Sequence, residues 1–122
     1  MLERNKEIVK NLNTIIQENN LEEFLAFFTD DVRWTKVGDK SAQGKENLRQ
    51  VIKSLGDAPP PSTVTFEAMV GEGDTIAAYG SLTVEVEKGV TISQDFCDVY
   101  HFRGDKIAEL RAFNITPEEN LR

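Results

Sequence analysis

The chain has 122 residues, 39% of them hydrophobic and 29% charged, with one Cys and one His; this excludes an internal disulfide framework and a Cys-rich zinc site, and no metal or other cofactor is expected. Twenty-one acids against fourteen bases leave a net charge of −7, which argues against a nucleic-acid partner or an anionic membrane surface. One domain spanning residues 1–122 is expected, with a core formed by burying about two thirds of the unfolded surface. The N-terminal decapeptide is charged rather than signal-like and no apolar run reaches membrane-spanning length, so a cytoplasmic location is expected.

The first third has helical periodicity. Ile8, Leu12, Ile15 and Ile16 recur at three- and four-residue steps among polar residues. Asn19 and Asn20 interrupt that pattern, and Asn20 followed by Glu23 three residues later is a capping pair for a short second helix with Leu21, Phe24, Leu25 and Phe28 on its apolar face. Thr29-Asp30-Asp31 ends it. Val32 to Val37 then predicts a short strand with Val32, Trp34 and Lys36 on one face, followed by a polar loop. Gly44 introduces a third helix carrying Leu48, Val51, Ile52 and Leu55, and the run from Gly56 to Pro61 stops it.

After Pro61 the apolar period changes from about 3.6 to 2. Val64, Phe66, Ala68 and Val70 alternate with polar residues, and Gly71-Glu72-Gly73-Asp74 makes a turn. Ile76, Ala78, Gly80, Leu82, Val84 and Val86 mark the next strand. A third strand runs from Val90 to Arg103, and Arg103-Gly104-Asp105 turns into a last one, Lys106 to Ile115. Helices followed by strands define an α+β chain with a largely antiparallel sheet. At Glu87-Lys88-Gly89 a three-residue turn with a left-handed glycine fits better than a two-residue turn starting on Lys88. That choice pairs Val86 with Val90 and puts Asp98 opposite Ala78.

The even positions of the third strand are Val90, Ile92, Gln94, Phe96, Asp98, Tyr100 and Phe102, an apolar face broken at Gln94 and Asp98. A carboxylate on a buried sheet face must be paired, hydrogen-bonded or protonated. Asp98 is therefore either an ordinary ion-paired or edge-exposed residue or the polar group of an otherwise apolar pocket, where perturbed acids tend to be functional.

The segment DFCDVYHFRGDKIAELRAF, Asp95 to Phe113, resembles the closing strands of ketosteroid isomerase-like and SnoaL-like proteins of the nuclear transport factor 2-like superfamily, as does LEEFLAFFTDDVRW, Leu21 to Trp34. The resemblance implies a cone: a curved antiparallel sheet wrapped around three N-terminal helices, enclosing an apolar cavity and commonly dimeric. It places Asp98 where steroid isomerases hold a protonated aspartic acid. Lys36 stands where their general-base aspartate is expected and Leu12 where their oxyanion tyrosine is, so steroid isomerisation itself is not implied. Ala112 stands where limonene epoxide hydrolases place the last aspartate of their catalytic set. In SnoaL-type cyclases one acid does most of the proton transfer, a role open to Asp98.

Two function classes follow. The first is an isomerase- or cyclase-like enzyme that works by acid/base chemistry on a small apolar carbonyl compound, with Asp98 and Lys36 catalytic and Trp34, Phe96, Tyr100, Gln94 and Asn114 lining the substrate pocket. There Lys36 would pair with Asp98 and keep it ionised; the commoner outcome for such a lysine is to snorkel to solvent at its strand end. The second is a non-catalytic domain of the same fold that binds a small ligand or dimerises. A homodimer through the outer sheet face is expected because Cys97, Val99, Ile107 and Phe113 would otherwise be exposed there.

Overall fold

A computed structural model describes residues 2–18, 20–54 and 63–116. Leu55, the stop from Gly56 to Pro61, and Asn19 lie outside the described residues, as do the side chains of Ile16 and Val86. The elements are α1 (Leu2–Gln17), α2 (Leu21–Leu25), β1 (Phe28–Lys36), β2 (Lys40–Gln43), α3 (Lys45–Ser54), β3 (Thr63–Glu72), β4 (Thr75–Glu87), β5 (Val90–Arg103) and β6 (Lys106–Ile115). The strands form one open sheet in the order β2-β1-β6-β5-β4-β3, antiparallel except where β1 runs parallel to β6. Helices on one side of a curved, unclosed sheet give the expected α+β cone.

The helices form where the residues predict them. Asn20 caps α2 by accepting from the Glu23 N–H at 3.3 Å while donating to the Glu23 carboxylate at 2.8 Å. That helix ends at Leu25, and Phe28 opens β1 instead of closing α2. It still packs on Phe24, with ring centroids 5.0 Å apart, so the apolar contact survives the change of element. Lys40–Gln43, predicted as loop, is a short polar edge strand; with only Ala42 apolar it carries no alternation that could mark it. The core joins Ile8, Val9 and Leu12 of α1 to Leu25, Phe28, Val32, Leu48, Ile76, Phe102 and Ile107.

Three ladder irregularities decide which residues face that core. Gly89 is left-handed (φ 82) as expected, but Glu87 rather than Val86 pairs with Val90, and an irregularity between Glu85 and Glu87 absorbs the extra residue. Beyond it the register is the expected one, with Asp98 opposite Ala78. In β3 the register shifts between Phe66 and Ala68, so Met69 turns inward opposite Ala78 while Val70, expected on the inner face, is 56% exposed. A third shift, where Phe102 pairs with Ile107, turns Ile107 into the core and removes it from the outer apolar face on which parity placed it.

The β3 bulge depends on Gly80. A Cβ built there would lie 1.9 Å from the Thr65 carbonyl oxygen and 2.9 Å from the Glu67 nitrogen, both backbone atoms that cannot swing away. Phe66 and Phe96, the residues paired with Gly80 on either side, meet edge to face over the missing side chain with centroids 5.7 Å apart. Gly80→Ala should therefore lower the stability by about 1–3 kcal/mol or more, because backbone must move. Urea unfolding followed by far-UV circular dichroism measures this, and Gly73→Ala, a turn position with open space around it, separates strain at φ 59 from steric collision.

Candidate functional site

The register of the sheet lays its inner-face residues in rows running across the strands. One row is Ile76, Tyr100, Leu110 and Trp34, from β4 through β5 and β6 to β1. Four residues along, a parallel row is Phe66, Gly80, Phe96 and Asn114. Between them runs Ala78, Asp98, Ala112 and Lys36. Large side chains on the two outer rows and methyl groups in the middle one leave a trough, and Val9, Leu12 and Asn13 of α1 with Phe24 of α2 contribute to its enclosure. The result is a cavity of about 260 Å³ lined by Trp34, Phe66, Phe96, Asp98, Tyr100, Ala112 and Asn114, among others.

Asp98 is the acid in this lining. Among the described residues no hydrogen bond or ion pair reaches its carboxyl group. Ala78 on one side is fully buried and does not line the cavity, whereas Ala112 on the other side does. Burial pushes the Asp98 carboxyl up to about 7 from an ordinary value of 3.8. Tyr100, two residues along on the same face, is raised well above 10 by burial and by the Asp98 charge, so its hydroxyl keeps its proton. Burial also raises the Cys97 thiol, with the Asp98 charge adding to it, although Cys97 faces the other side of the sheet opposite Tyr79.

The structure brings together Trp34, Phe96, Asp98, Tyr100 and Asn114, five of the seven residues singled out from the sequence. It does not bring in the other two. The ion pair expected between Lys36 and Asp98 is not formed: Lys36 Nζ lies 3.7 Å from Asp39, its side chain is 43% exposed, and it does not line the cavity. The strand ends there, and solvation of the ammonium outweighs a pair that would have to be desolvated. Asp98 is accordingly not held ionised by a lysine. Gln94 donates to Thr116 Oγ1 at 3.0 Å and lies outside the cavity lining, its amide satisfied by the end of the neighbouring strand.

Sequence reasoning missed Asn13. It occupies the stripe Val9, Leu12, Asn13, Ile16 at i, i+3, i+4 and i+7, so it interrupts a helix face as Asp98 interrupts a strand face. That signal was available. Asn5 interrupts the same helix about two turns before Asn13 and is fully buried with its Oδ1 unpaired among the described residues. The cavity thus combines an apolar body, one acid and the two amides Asn13 and Asn114, a set able to move a proton and hydrogen-bond an oxygen.

A helix-backed open cone with a polar group in its apolar throat defines a nuclear transport factor 2-like fold. The sequence matches the SnoaL-like domain family over residues 9–110, and the chain belongs to that family. No curated protein matches the sequence significantly. Among solved structures, an NTF2-like protein of unknown function from Burkholderia pseudomallei superposes with a TM-score of 0.79 at 16% identity, covering 97% of this chain and 94% of that one. A candidate SnoaL-like polyketide cyclase from Jannaschia sp. CCS1 gives 0.80 at 18% identity, over 92% and 85% of the two chains. An LEH-like epoxide hydrolase from M. tuberculosis gives 0.78 at 12% identity, over 92% and 83%. Identities this low carry the fold alone. No described helix is long and apolar enough to cross a membrane.

An acid whose folded-state pKa lies above its unfolded value binds a proton in the native state that the unfolded state has lost. Stability therefore falls as pH rises from about 3.8 to about 7 and is level above that. The full difference corresponds to at most about 4 kcal/mol. Asp98→Asn should consequently be more stable than the wild type at about pH 8 and nearly equal to it at about pH 4. Urea midpoints across this range test it, and a ¹³C titration of the Asp98 carboxyl should show its midpoint near 7.

Proposed function

We propose that the cavity is the active site of an acid/base enzyme, isomerase- or cyclase-like, acting on a small carbonyl compound, with Asp98 as the proton carrier. The observation that supports this is a buried carboxyl group without a partner among the described residues, in an apolar cavity whose desolvation pushes it up to about 7. A group with that pKa is nearly half ionised at neutral pH, and so can take a proton and return it with little driving force lost either way. The ionised form removes a proton from the carbon next to a carbonyl; the electron pair moves onto the carbonyl oxygen; the protonated form then delivers the proton to another carbon of the same conjugated system. Atoms and charge balance within the substrate and Asp98. The amides of Asn13 or Asn114 and the Tyr100 hydroxyl offer donors for the developing oxyanion, and Trp34 and Phe96 supply flat apolar walls.

The test is exchange of α-protons of small cyclic ketones into deuterium oxide, followed by ¹H NMR. The wild type should accelerate exchange with a rate that rises through pH 7. Asp98→Asn should lower that rate by about 10²–10⁴-fold. Ketone binding that persists with no exchange above the buffer rate in the wild type would instead assign the cavity to ligand binding alone.

The same reading includes a homodimer through the outer sheet face. Tyr79, 42% exposed, shares this face with Cys97, Phe113 and Ile115, and the Arg111 guanidinium lies 5.6 Å over the Phe113 ring. An apolar centre edged by Glu67, Asp95 and Arg111 suits a second copy of the same surface. Tyr79→Lys should shift the protein from dimer to monomer in sedimentation at micromolar concentration, leaving its far-UV spectrum unchanged.

A further inference from the structure

The row that contains Asp98 has a second end. It runs from Asp98 over the methyl group of Ala112 to Lys36, and the β1–β2 pairing places Lys40 directly beyond Lys36 on the same face. Two lysines are therefore cross-strand neighbours just beyond the cavity lining, at the end of a row floored by methyl groups, in a chain of net charge −7. Their carboxylate neutralisation is incomplete. Asp39 approaches Lys36 at 3.7 Å in an exposed pair of the kind that contributes little, and Lys40 has no carboxylate partner among the described residues. From Asp98 to Lys36 is two strand spacings, each about 4.8 Å. The walls on either side are Tyr100, Leu110 and Trp34 in one row and Phe96 and Asn114 in the other.

We propose that the cavity takes a slender carbonyl compound that also carries a carboxylate, with the carbonyl at Asp98, the chain over Ala112, and the carboxylate held by Lys36 and Lys40. The proposal rests on the reading of the cavity as a ligand site and names its substrate class. Lys36 and Lys40 are positioning residues here: they fix which end of the ligand meets Asp98 and take no part in proton transfer. An end-on arrangement lays the ligand along the row from Asp98 over Ala112, both of which line the cavity. The ammonium groups also explain how an acidic protein would draw in an anionic ligand, since they supply a local positive field at one end of the trough.

Trp34, the single tryptophan of the chain, stands on the wall of the trough and reports its occupancy by fluorescence. The probes are 7-oxooctanoate and its methyl ester, which differ in charge and little in shape, titrated at about pH 6, where most Asp98 carboxyls are protonated. The acid should bind about tenfold or more tightly than the ester, the difference expected from charge-assisted hydrogen bonds. In Lys36→Met/Lys40→Met that ratio should fall to near one, with ester affinity unchanged. Equal affinities in the wild type, a preference that survives in the double variant, or an absence of Trp34 response to both probes would each overturn the proposal. The two readings fail separately. Ester binding without acid preference removes the lysine anchor and leaves Asp98 chemistry intact, whereas acid preference without Asp98-dependent proton exchange keeps the anchor and removes the enzyme.

Discussion

The register of β5 against its two neighbours is the constraint on which the site depends. It sets Asp98 between two alanines, so that its carboxyl has only methyl groups on either side of it in the row. Desolvation without compensation then raises its pKa, and the same shortage of side-chain volume leaves the void into which the group opens. Cavity and perturbed acid are two results of one pattern of side-chain sizes. A one-residue slip at either ladder would exchange this face for the Cys97, Val99 and His101 face and abolish both.

Much of this was legible before any coordinates. The change of period after Pro61, the parity of β5 and the choice of Ala78 opposite Asp98 all follow from alternation and turn chemistry, and the structure agrees. The residues that escaped did so for definite reasons. Val70 and Ile107 sit beyond bulges, and a bulge inverts parity without changing composition, so the strand pattern on its far side points to the wrong face. Gly80 is the visible trace of one of these, but a glycine in a strand does not say which neighbour bulges toward it. Asn13 went unnoticed because polar interruptions stand out in a strict two-residue alternation and blend into the broader stripe of a helix.

Lys36 teaches a different lesson. Its parity was right: it stands in the row of Asp98. What parity leaves out is that each strand ends somewhere, and a four-carbon stem at such an end has solvent within reach. Whether two charged groups on one face meet depends on the solvation each gives up, and an exposed Asp39 three residues away offers Lys36 a partner at almost no desolvation. The family resemblance was carried by a fold-level pattern, and the site it brings with it differs at each position where the better-known chemistries would need a second acid.

The two open edges of the sheet have a further consequence for assembly. At one edge lies β2, four residues long, polar and headed by Lys40; at the other lies β3, bent by its bulge and beginning and ending on Thr63 and Glu72. Short, charged or kinked edges are poor templates for adding another strand. Copies of this chain are thereby steered away from edge-to-edge growth, which has no natural end. The feature that went unseen as a loop is the one that keeps the sheet finite.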